Sequence, residues 1–253
     1  MLNHIYKSCL KGQGYIKVID HMGTDESICI GARTSTGSEK KGYDADQKLL
    51  NYLMRNGHTS PFEMPTLIIE VKAPIYIARQ WNRHRTGVGF DRYSSVQEKS
   101  LRYVESDTEY YIPGDKSEEY WGVAEAYLDE LTDFYSSSLV NEVSKEHART
   151  ILPVSTFTIF QWKIDAKNLM DFLMQRNHKH AQPEIIEYAK ALEEILAEWL
   201  PQTYKVFKRA RLMRRFSEVL FKDESLSLLF NCDNKLMSEL ANLYYDEYNK
   251  YAF

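Results

Sequence analysis

The amino-acid sequence predicts an α+β protein that forms one continuous domain over residues 1–253. Segments with helical spacing outnumber segments with alternating spacing, and the two kinds do not alternate regularly, which argues against a doubly wound fold. Hydrophobic residues make up 43% and charged residues 27% of the chain, a composition typical of a soluble globular protein. No repeat, low-complexity tract or Pro/Gly/Ser linker divides it.

The N-terminal half is predicted to contain two helices and one strand. Leu49 and Leu53 keep helical spacing within a helix expected over 44–57. Thr66–Lys72 alternates apolar and polar residues, as a strand does. Pro74, tolerated in a first turn, opens a helix that is expected to run through Arg85. The remaining loops are predicted at residues 31–43 and 86–99, where Gly, Ser and Thr are frequent.

The C-terminal half is predicted to be mostly helical. Val154–Ile164 alternates strongly and is rich in β-branched and aromatic residues, so we expect a strand there. A short helix is expected to end near Ile151, before Pro153, and Pro201 is expected to end a later helix. The longer helices are predicted over 118–139, 166–176, 183–199, 205–221 and 224–248.

Charge and cysteine content exclude several classes of protein. The net charge is −4, so no nucleic-acid partner is required. No apolar run approaches the roughly 20 residues of a membrane span, and the N-terminus lacks a signal-peptide layout, so we expect a cytoplasmic protein without a membrane partner.

The cysteines form no C-x-x-C pair; they are Cys9, Cys29 and Cys232. His178 and His180 have no third ligand at a suitable spacing. We therefore expect neither disulfides nor a metal site.

A basic cluster ends the predicted helix 74–85. Gln80, Arg83 and His84 stand at i, i+3 and i+4 and would share one helix face, and Arg85 extends the cluster. These side chains repel one another unless an anion joins them, and guanidinium groups match phosphate oxygens. The alternative is a solvated basic helix end.

Two further stretches supply candidate ligand-binding residues. Ser100 and Arg102 could hold a second phosphate while Glu98 accepts from a sugar hydroxyl, although on this stretch alone a polar loop with a helix-capping serine is the favoured explanation. Arg176 lies seven residues after Leu169 and shares the buried stripe of its helix. A buried arginine needs a partner, which is either a ligand or a structural carboxylate.

With these residues in hand, the chain resembles the flavin-dependent thymidylate synthases, the ThyX family. The family signature is R-H-R, seven residues and S, within S-x-N-E-x-S-x-R-Y, and residues 83–85 and 95–103 match its two parts. Other matching stretches are 57–63, 71–74, 79–81, 148–149, 152–153, 176 and 180–182. The resemblance covers roughly residues 15–200, and residues 202–253 are interpreted as a helical extension.

The chain departs from the family pattern at several positions. Fourteen residues, rather than seven, separate Arg85 from Ser100, and the insertion falls within residues 86–94. Gln97 replaces the signature Asn, and Pro183 stands where an aromatic residue is common. Near the expected flavin, the usual Asn, Arg and Asn are replaced by Asp165, Lys167 and Asp171.

The resemblance implies a ThyX-like fold, a central and mostly antiparallel sheet flanked by helices, in a homotetramer with shared active sites. It implies an FAD site formed by His58, Ser60, Glu63, Arg83, His84, Arg85, Glu98, Asp165, Lys167, Asp171 and His180. It implies a nucleotide site formed by Gln80, Arg83, Glu98, Ser100, Leu101, Arg102, Arg149 and Arg176.

The implied reaction is the reductive methylation of dUMP to dTMP. Reduced FAD gives the hydride, methylene-tetrahydrofolate gives the carbon, and NADPH reduces the flavin again. By resemblance, Arg176 is the catalytic residue that faces the uracil ring. A guanidinium beside the ring favours its anionic form, because an opposite charge lowers a pKa, and C5 then becomes the nucleophile.

Three alternatives remain open at this point. Asp165 and the insertion could suit another pyrimidine nucleotide such as dCMP, because a carboxylate accepts from an exocyclic amine. A homologue that binds nucleotide or flavin without catalysis is the second. The third is a nucleic-acid-binding protein that uses a basic C-terminal helix, without a known recognition motif. The basic residues of that helix are Lys205, Lys208, Arg209, Arg211, Arg214 and Arg215.

Overall fold

A computed structural model describes residues 2, 5–84, 95–114 and 117–222, with side chains described up to residue 214. The chain divides into two compact units, Met1–Lys205 and Val206–Phe253. The first unit contains the sheet and every candidate site residue within the described ranges. The one-domain organisation stays a prediction.

The described strands form one antiparallel sheet. They are β1 (Tyr6–Cys9), β2 (Gly14–Met22), β3 (Thr66–Pro74), β4 (Ser95–Glu98) and β5 (Phe157–Asp165). Their order is β1-β2-β3-β5-β4, and each neighbouring pair is antiparallel. Leu67, Ile69 and Val71 alternate along β3 and are fully buried, which follows from the two-residue repeat of a strand. The predicted α+β class and the mostly antiparallel sheet are confirmed.

Eight helices are described along the chain. They are α1 (Asp25–Thr34), α2 (Tyr43–Arg55), α3 (Ile75–Trp81), α4 (Glu118–Val140), α5 (Lys145–Ala148), α6 (Ala166–Arg176), α7 (Pro183–Trp199) and α8 (Pro201–Lys222). Single 3-10 turns lie at Leu10–Gly12, Ser60–Glu63 and Arg149–Ile151. The predictions for α6 and α7 match the structure at both ends, because each helix begins at a cap or proline that the sequence makes visible.

The structure corrects three predictions in the N-terminal half. α1 occupies part of the predicted loop 31–43, and its start carries a capping box between Thr24 and Ser27 that the sequence reading missed. β1 and β2 form a hairpin that was not predicted. β4 lies within the segment 86–99, which was predicted to be irregular, and its four residues pair with the exposed edge of β5.

The boundaries of other predicted elements also change. α3 ends at Trp81, where the amide of Asn82 donates to Ala78, instead of running through Arg85. β5 begins at Phe157 rather than Val154. Pro201 begins α8 as well as ending α7, because a first-turn proline needs no amide hydrogen. The predicted helix 224–248 lies outside the described residues.

An aromatic cluster around Trp81 forms the centre of the core. The Trp81 ring lies 4.9–5.9 Å, centroid to centroid, from four other rings. These belong to Phe160 and Trp162 of β5, Phe172 of α6 and Tyr188 of α7. Three of the four contacts are edge-on, the arrangement that the charge distribution of aromatic rings favours. The end of α3 is therefore fixed against the sheet and two helices.

One face of α4 is apolar and exposed. Five of its side chains recur at helical spacing and remain accessible to solvent: Tyr120, Val123, Tyr127, Leu131 and Phe134.

In the part of the chain that the structure describes, no helix is long and apolar enough to cross a membrane.

Asp25 joins α1 to the start of α8. Its carboxylate is 7% exposed and accepts from the backbone amides of Gln202 and Thr203 at 2.9 and 2.8 Å, and from the Thr203 hydroxyl at 2.6 Å. The first amides of a helix have no partner within the helix, so this distant carboxylate caps α8.

We expect Asp25→Ala to destabilise the protein by about 3 kcal/mol, because it leaves buried donors without an acceptor. Urea denaturation provides the free energy of unfolding. The control is Asp44→Ala, which removes an exposed carboxylate from the first turn of α2 and should cost less than about 1 kcal/mol. Equal losses in the two variants would contradict the capping role.

Candidate active site

Gln80 and Arg176 meet where α3 and α6 end. The last carbonyls of a helix lack partners within the helix, and the carbonyl of Gln80 accepts from Arg176 Nη2 at 3.0 Å. Arg176 Nε has no hydrogen-bond partner among the described residues, and neither does Trp81 Nε1 nor Asn82 Oδ1. Burial lowers the pKa of Arg176. Buried donors and acceptors are usually satisfied, so this cluster has unused capacity to bind a polar ligand.

His84 belongs to the same cluster. It is 6% exposed, and its ring packs edge-on against Phe172 at a centroid distance of 4.8 Å. Burial lowers the pKa of His84 to about 4; the Arg176 guanidinium adds to the shift, whereas Asp171 opposes it. At neutral pH the imidazole is therefore uncharged, and Arg176 carries the positive charge.

The prediction that Gln80, Arg83 and His84 share one helix face is wrong, because α3 ends at Trp81. Gln80 lies in the last turn, whereas Arg83 and His84 follow the helix. Arg83 is exposed and His84 is buried, so the two side chains are in different surroundings. Arg85 lies outside the described residues.

A second group of predicted residues lies at the end of the edge strand β4. Glu98 Oε1 accepts from the Thr158 hydroxyl at 2.8 Å, which ties it to β5. Arg102 Nε lies 3.5 Å from Ser100 Oγ, and its guanidinium lies 5.0 Å from the centroid of the Tyr103 ring. Arg102 is exposed, so it is accessible to a ligand. Leu101, which lies between Ser100 and Arg102 in the sequence, is half-buried.

A third group lies at the start of α6. Asp165 caps this helix: Oδ1 accepts from the amide of Asn168 at 2.8 Å and Oδ2 from its side chain at 2.5 Å. Burial raises the pKa of Asp165, and Glu63 adds to the shift, whereas the bonds from Asn168 oppose it. Lys167 Nζ lies 3.1 Å from Asp171, one helical turn further on.

A surface groove of about 560 Å³ contains two more predicted residues, His58 and Ser60. It lies between α1, α2 and the turn that precedes β3. No Asp or Glu is among its described lining residues, whereas Arg33, Lys41 and Lys48 contribute positive charge. The other lining residues are Ala32, Ser35, Thr36, Ser38, Ala45, Leu49, Tyr52, Leu53 and Pro61. The groove is suited to an anionic ligand with an apolar part.

Arg33 is the one buried cation in the lining of this groove. Its Nη2 forms a 2.6 Å ion pair with Asp46, and both side chains are buried. Its Nη1 has no hydrogen-bond partner among the described residues. Arg33 and Lys41 lie in the predicted loop 31–43 and Lys48 lies in the predicted helix 44–57, and no motif in the sequence marks them as ligand-binding residues. The capping box at Thr24 was the local signal for α1, on which Arg33 lies.

The remaining predicted residues lie apart from these groups. Arg149 lies in a 3-10 turn, and its Nε donates to the carbonyl of Glu146 at 3.4 Å. His180 is exposed, and its amide donates to His178 Nδ1 at 3.3 Å. Within the described ranges, no group of three or more His, Cys, Asp or Glu side chains could hold a metal ion.

Two cysteines are poorly suited to nucleophilic chemistry. Cys9 and Cys29 are buried thiols, and burial raises the pKa of each to about 12. Both therefore remain protonated at neutral pH, and the thiolate is the reactive form. Cys232 lies outside the described residues.

Together, the fold and the site define a class: an α+β protein with an antiparallel sheet and separate cationic clusters for anionic ligands. The family model described as Thymidylate synthase complementing protein (Thy1) matches residues 17–202. The chain therefore belongs to the Thy1 family.

Individual relatives agree with this assignment. The chain is 35% identical over 238 residues to a flavin-dependent thymidylate synthase of Ruegeria pomeroyi, covering 84% of this chain and 76% of the relative. It is 38% identical over 217 residues to an enzyme of the same name from Wolbachia pipientis wMel, covering 77% and 73%. A crystal structure of the UMP/dUMP methylase PolB of Streptomyces cacaoi, bound with 5-Br dUMP, superposes with a TM-score of 0.70 at 29% identity, covering 78% of this chain and 96% of that one.

The lowered pKa of His84 leads to a prediction about stability. An unfolded histidine has a pKa of about 6.5, so the unfolded chain binds this proton more readily than the folded protein does. The stabilisation by neutral His84 is complete above about pH 6.5 and is lost as the pH falls towards about 4. A shift of this size corresponds to about 3 kcal/mol.

We therefore expect His84→Gln to lose less stability than the wild type between about pH 7.5 and about pH 4.5. Urea denaturation at the two pH values measures the difference, and titration of the imidazole by NMR reports its pKa directly. An identical pH dependence in both proteins would contradict this assignment.

Proposed function

We propose that this protein is a flavin-dependent thymidylate synthase that methylates dUMP at C5 to give dTMP. The observation that carries the proposal is the cluster of Arg176, Gln80 and His84, in which Nε of the partly buried guanidinium has no hydrogen-bond partner among the described residues. The relatives in Ruegeria and Wolbachia bear the name of this activity, and the methylase PolB was crystallised with a dUMP analogue.

Arg176 is the residue to which we assign the chemical role. Its positive charge lies in surroundings dry enough to lower its own pKa, so an anionic ring beside it is stabilised more strongly than in water. Neutral His84 does not compete for that anion, because burial keeps it unprotonated at neutral pH. The pair therefore favours the deprotonated uracil ring, in which C5 is nucleophilic.

We assign the nucleotide phosphate to two exposed arginines, one after α3 and one in the separate group after β4. Arg102 is exposed beside Ser100, and Arg83 is exposed just after α3. Guanidinium groups bind phosphate through paired hydrogen bonds, which gives direction as well as charge. Glu98, held by Thr158, is the acceptor that we assign to a sugar hydroxyl.

The cofactor that we propose is FAD. The groove beside His58 and Ser60 fits its diphosphate, because Lys41, Lys48 and Arg33 line it and the nearest carboxylate described, Asp46, is paired with Arg33; the apolar part of the groove fits a ring. Arg33 Nη1, which lacks a partner among the described residues, agrees with an anionic occupant. When bound, reduced flavin supplies the hydride. Methylene-tetrahydrofolate is the proposed carbon donor, and NADPH is the proposed source of electrons for the flavin.

A homotetramer with shared active sites is part of the same proposal. The described protomer distributes the predicted residues over separate groups rather than one enclosed pocket, and neighbouring subunits could complete each site. The exposed apolar face of α4 supports association, since contiguous apolar surface commonly marks an interface.

The deciding experiment is an assay with dUMP, methylene-tetrahydrofolate, FAD and NADPH, with the nucleotide product identified by mass. We expect dTMP from the wild type and at least a hundredfold lower turnover from Arg176→Ala, roughly the loss of one strong transition-state contact. The variant should keep the wild-type oligomeric state in light scattering. A parallel assay with dCMP distinguishes the two substrates. Absence of any methylated nucleotide product from the wild type would refute the proposed function.

The flavin groove gives a separate prediction. We expect Lys48→Glu to weaken FAD binding by about tenfold, about 1.4 kcal/mol, because it replaces an attraction with a repulsion. Titration followed by flavin fluorescence measures the affinity, and the difference should shrink at high salt, which screens exposed charges. The matched control is Lys190→Glu on the exposed face of α7. If both variants bind FAD equally well, the groove is not the diphosphate site.

A further inference from the structure

We infer that Gln182 is a positioning residue for nucleotide recognition: it orients the side-chain amide of Gln80 beside Arg176. The inference rests on the proposed function, in which Gln80 contacts the nucleotide. It extends that proposal to a residue outside the predicted nucleotide and flavin sites.

Gln80 is held at two points. Its backbone carbonyl accepts from Arg176 Nη2 at 3.0 Å, and its side-chain Nε2 donates to Gln182 Oε1. The first contact joins α3 to α6, and the second joins α3 to the start of α7. Trp81, the next residue, packs against both helices through Phe172 and Tyr188. The main chain at Gln80 is therefore fixed, and the orientation of its amide depends on Gln182.

The position of Gln182 leaves its side chain available for this purpose. It is the N-cap residue of α7, a place where a polar side chain often binds a free helix amide, but it makes no such bond here. Its backbone carbonyl instead accepts from the amide of Ile186 at 3.1 Å. Pro183 follows directly, so the main chain is restricted in the extended region at φ −65° and ψ 138°.

The consequence is chemical. A glutamine amide carries two N–H donors and one carbonyl acceptor, and it can rotate by half a turn to exchange them. With one N–H directed to Gln182, Gln80 retains its carbonyl oxygen and its other N–H for a ligand. A nucleotide with both donors and acceptors then meets a fixed partner, which lowers the entropy lost on binding.

A double-mutant cycle tests this coupling. Calorimetry measures the affinity of the FAD-loaded full-length protein for dUMP in the wild type, Gln80→Met, Gln182→Met and the double variant. We expect each single change to weaken binding by about tenfold, as for one lost hydrogen bond. The double variant should bind no more than about twofold more weakly than Gln80→Met, because Gln182 acts through Gln80.

A conservative variant distinguishes positioning from a structural role. Gln182→Glu keeps the acceptor and should bind dUMP within about threefold of the wild type, whereas Gln182→Met should not. The matched control is Gln13→Met in the exposed hairpin turn between β1 and β2, which should leave the affinity unchanged. Thermal melting shows whether each variant is folded. If Gln182→Met does not fold, the affinity of Gln182→Glu for dUMP decides whether Gln182 acts as a positioning residue.

Three results would overturn the inference: wild-type affinity in Gln182→Met, losses that multiply in the double variant, or equal losses in Gln182→Glu and Gln182→Met. Each leaves the proposed function standing. Failure of the wild type to bind dUMP in the presence of FAD would instead refute the proposed function, and this inference with it.

Discussion

The packing of Trp81 is the constraint on which the candidate site depends. Its indole contacts rings from β5, α6 and α7, so it fixes the end of α3 relative to three other elements at once. The main chain of the residues next to Trp81 is therefore fixed as well. Gln80 meets Arg176 and Gln182, and His84 meets Phe172. A densely packed core transmits small displacements instead of absorbing them. The aromatic cluster therefore positions the polar groups of the candidate site, His84 by direct contact and Gln80 through the fixed end of α3.

The same core determines the electrostatics of the site. Burial withdraws Arg176 and His84 from water, in the case of His84 against the Phe172 ring, and this lowers the pKa of each. The two groups respond differently because their ordinary pKa values differ: histidine becomes neutral, whereas arginine remains charged. One cation then faces a site from which much water is excluded. A buried charge without a counter-ion is costly, and binding of an anionic ligand relieves that cost. The charge of Arg176 therefore lowers the stability of the free protein and raises its affinity for an anionic ligand.

The sequence predicts the elements whose ends carry chemical markers, and it fails where the markers lie in another part of the chain. α6 begins at Ala166, directly after its cap Asp165, and α7 begins at Pro183; both starts were predicted to the residue. β4 was missed because its four residues are polar, and only its pairing with β5 makes it a strand. The end of α3 was placed too late for a related reason. Arg83 and His84 are acceptable helix residues, and the burial of His84 against Phe172 depends on tertiary packing.

The candidate site shows the same division. Gln80 and Arg176 are 96 residues apart, and the structure brings them into contact; the roles that the family resemblance implies for them stay predictions. Arg33 and Gln182 were not predicted as site residues, although 180–182 matches the family pattern, because the burial of Arg33 against Asp46 and the contact of Gln182 with Gln80 depend on tertiary packing. Contacts of this kind depend on how helices meet, which a single sequence does not specify.

The three departures around α6 have a physical explanation that does not require a different substrate. Asp165 replaces an asparagine, and both residue types are good helix caps; here both oxygens of Asp165 are engaged by Asn168. Lys167 and Asp171 replace an arginine and an asparagine, and they form an ion pair one turn apart, so the added negative charge is locally compensated. An Asp165 that recognised dCMP would have to accept from the exocyclic amine, whereas both of its oxygens already accept from Asn168. The altered residues therefore stabilise the start of α6 and do not by themselves favour another pyrimidine.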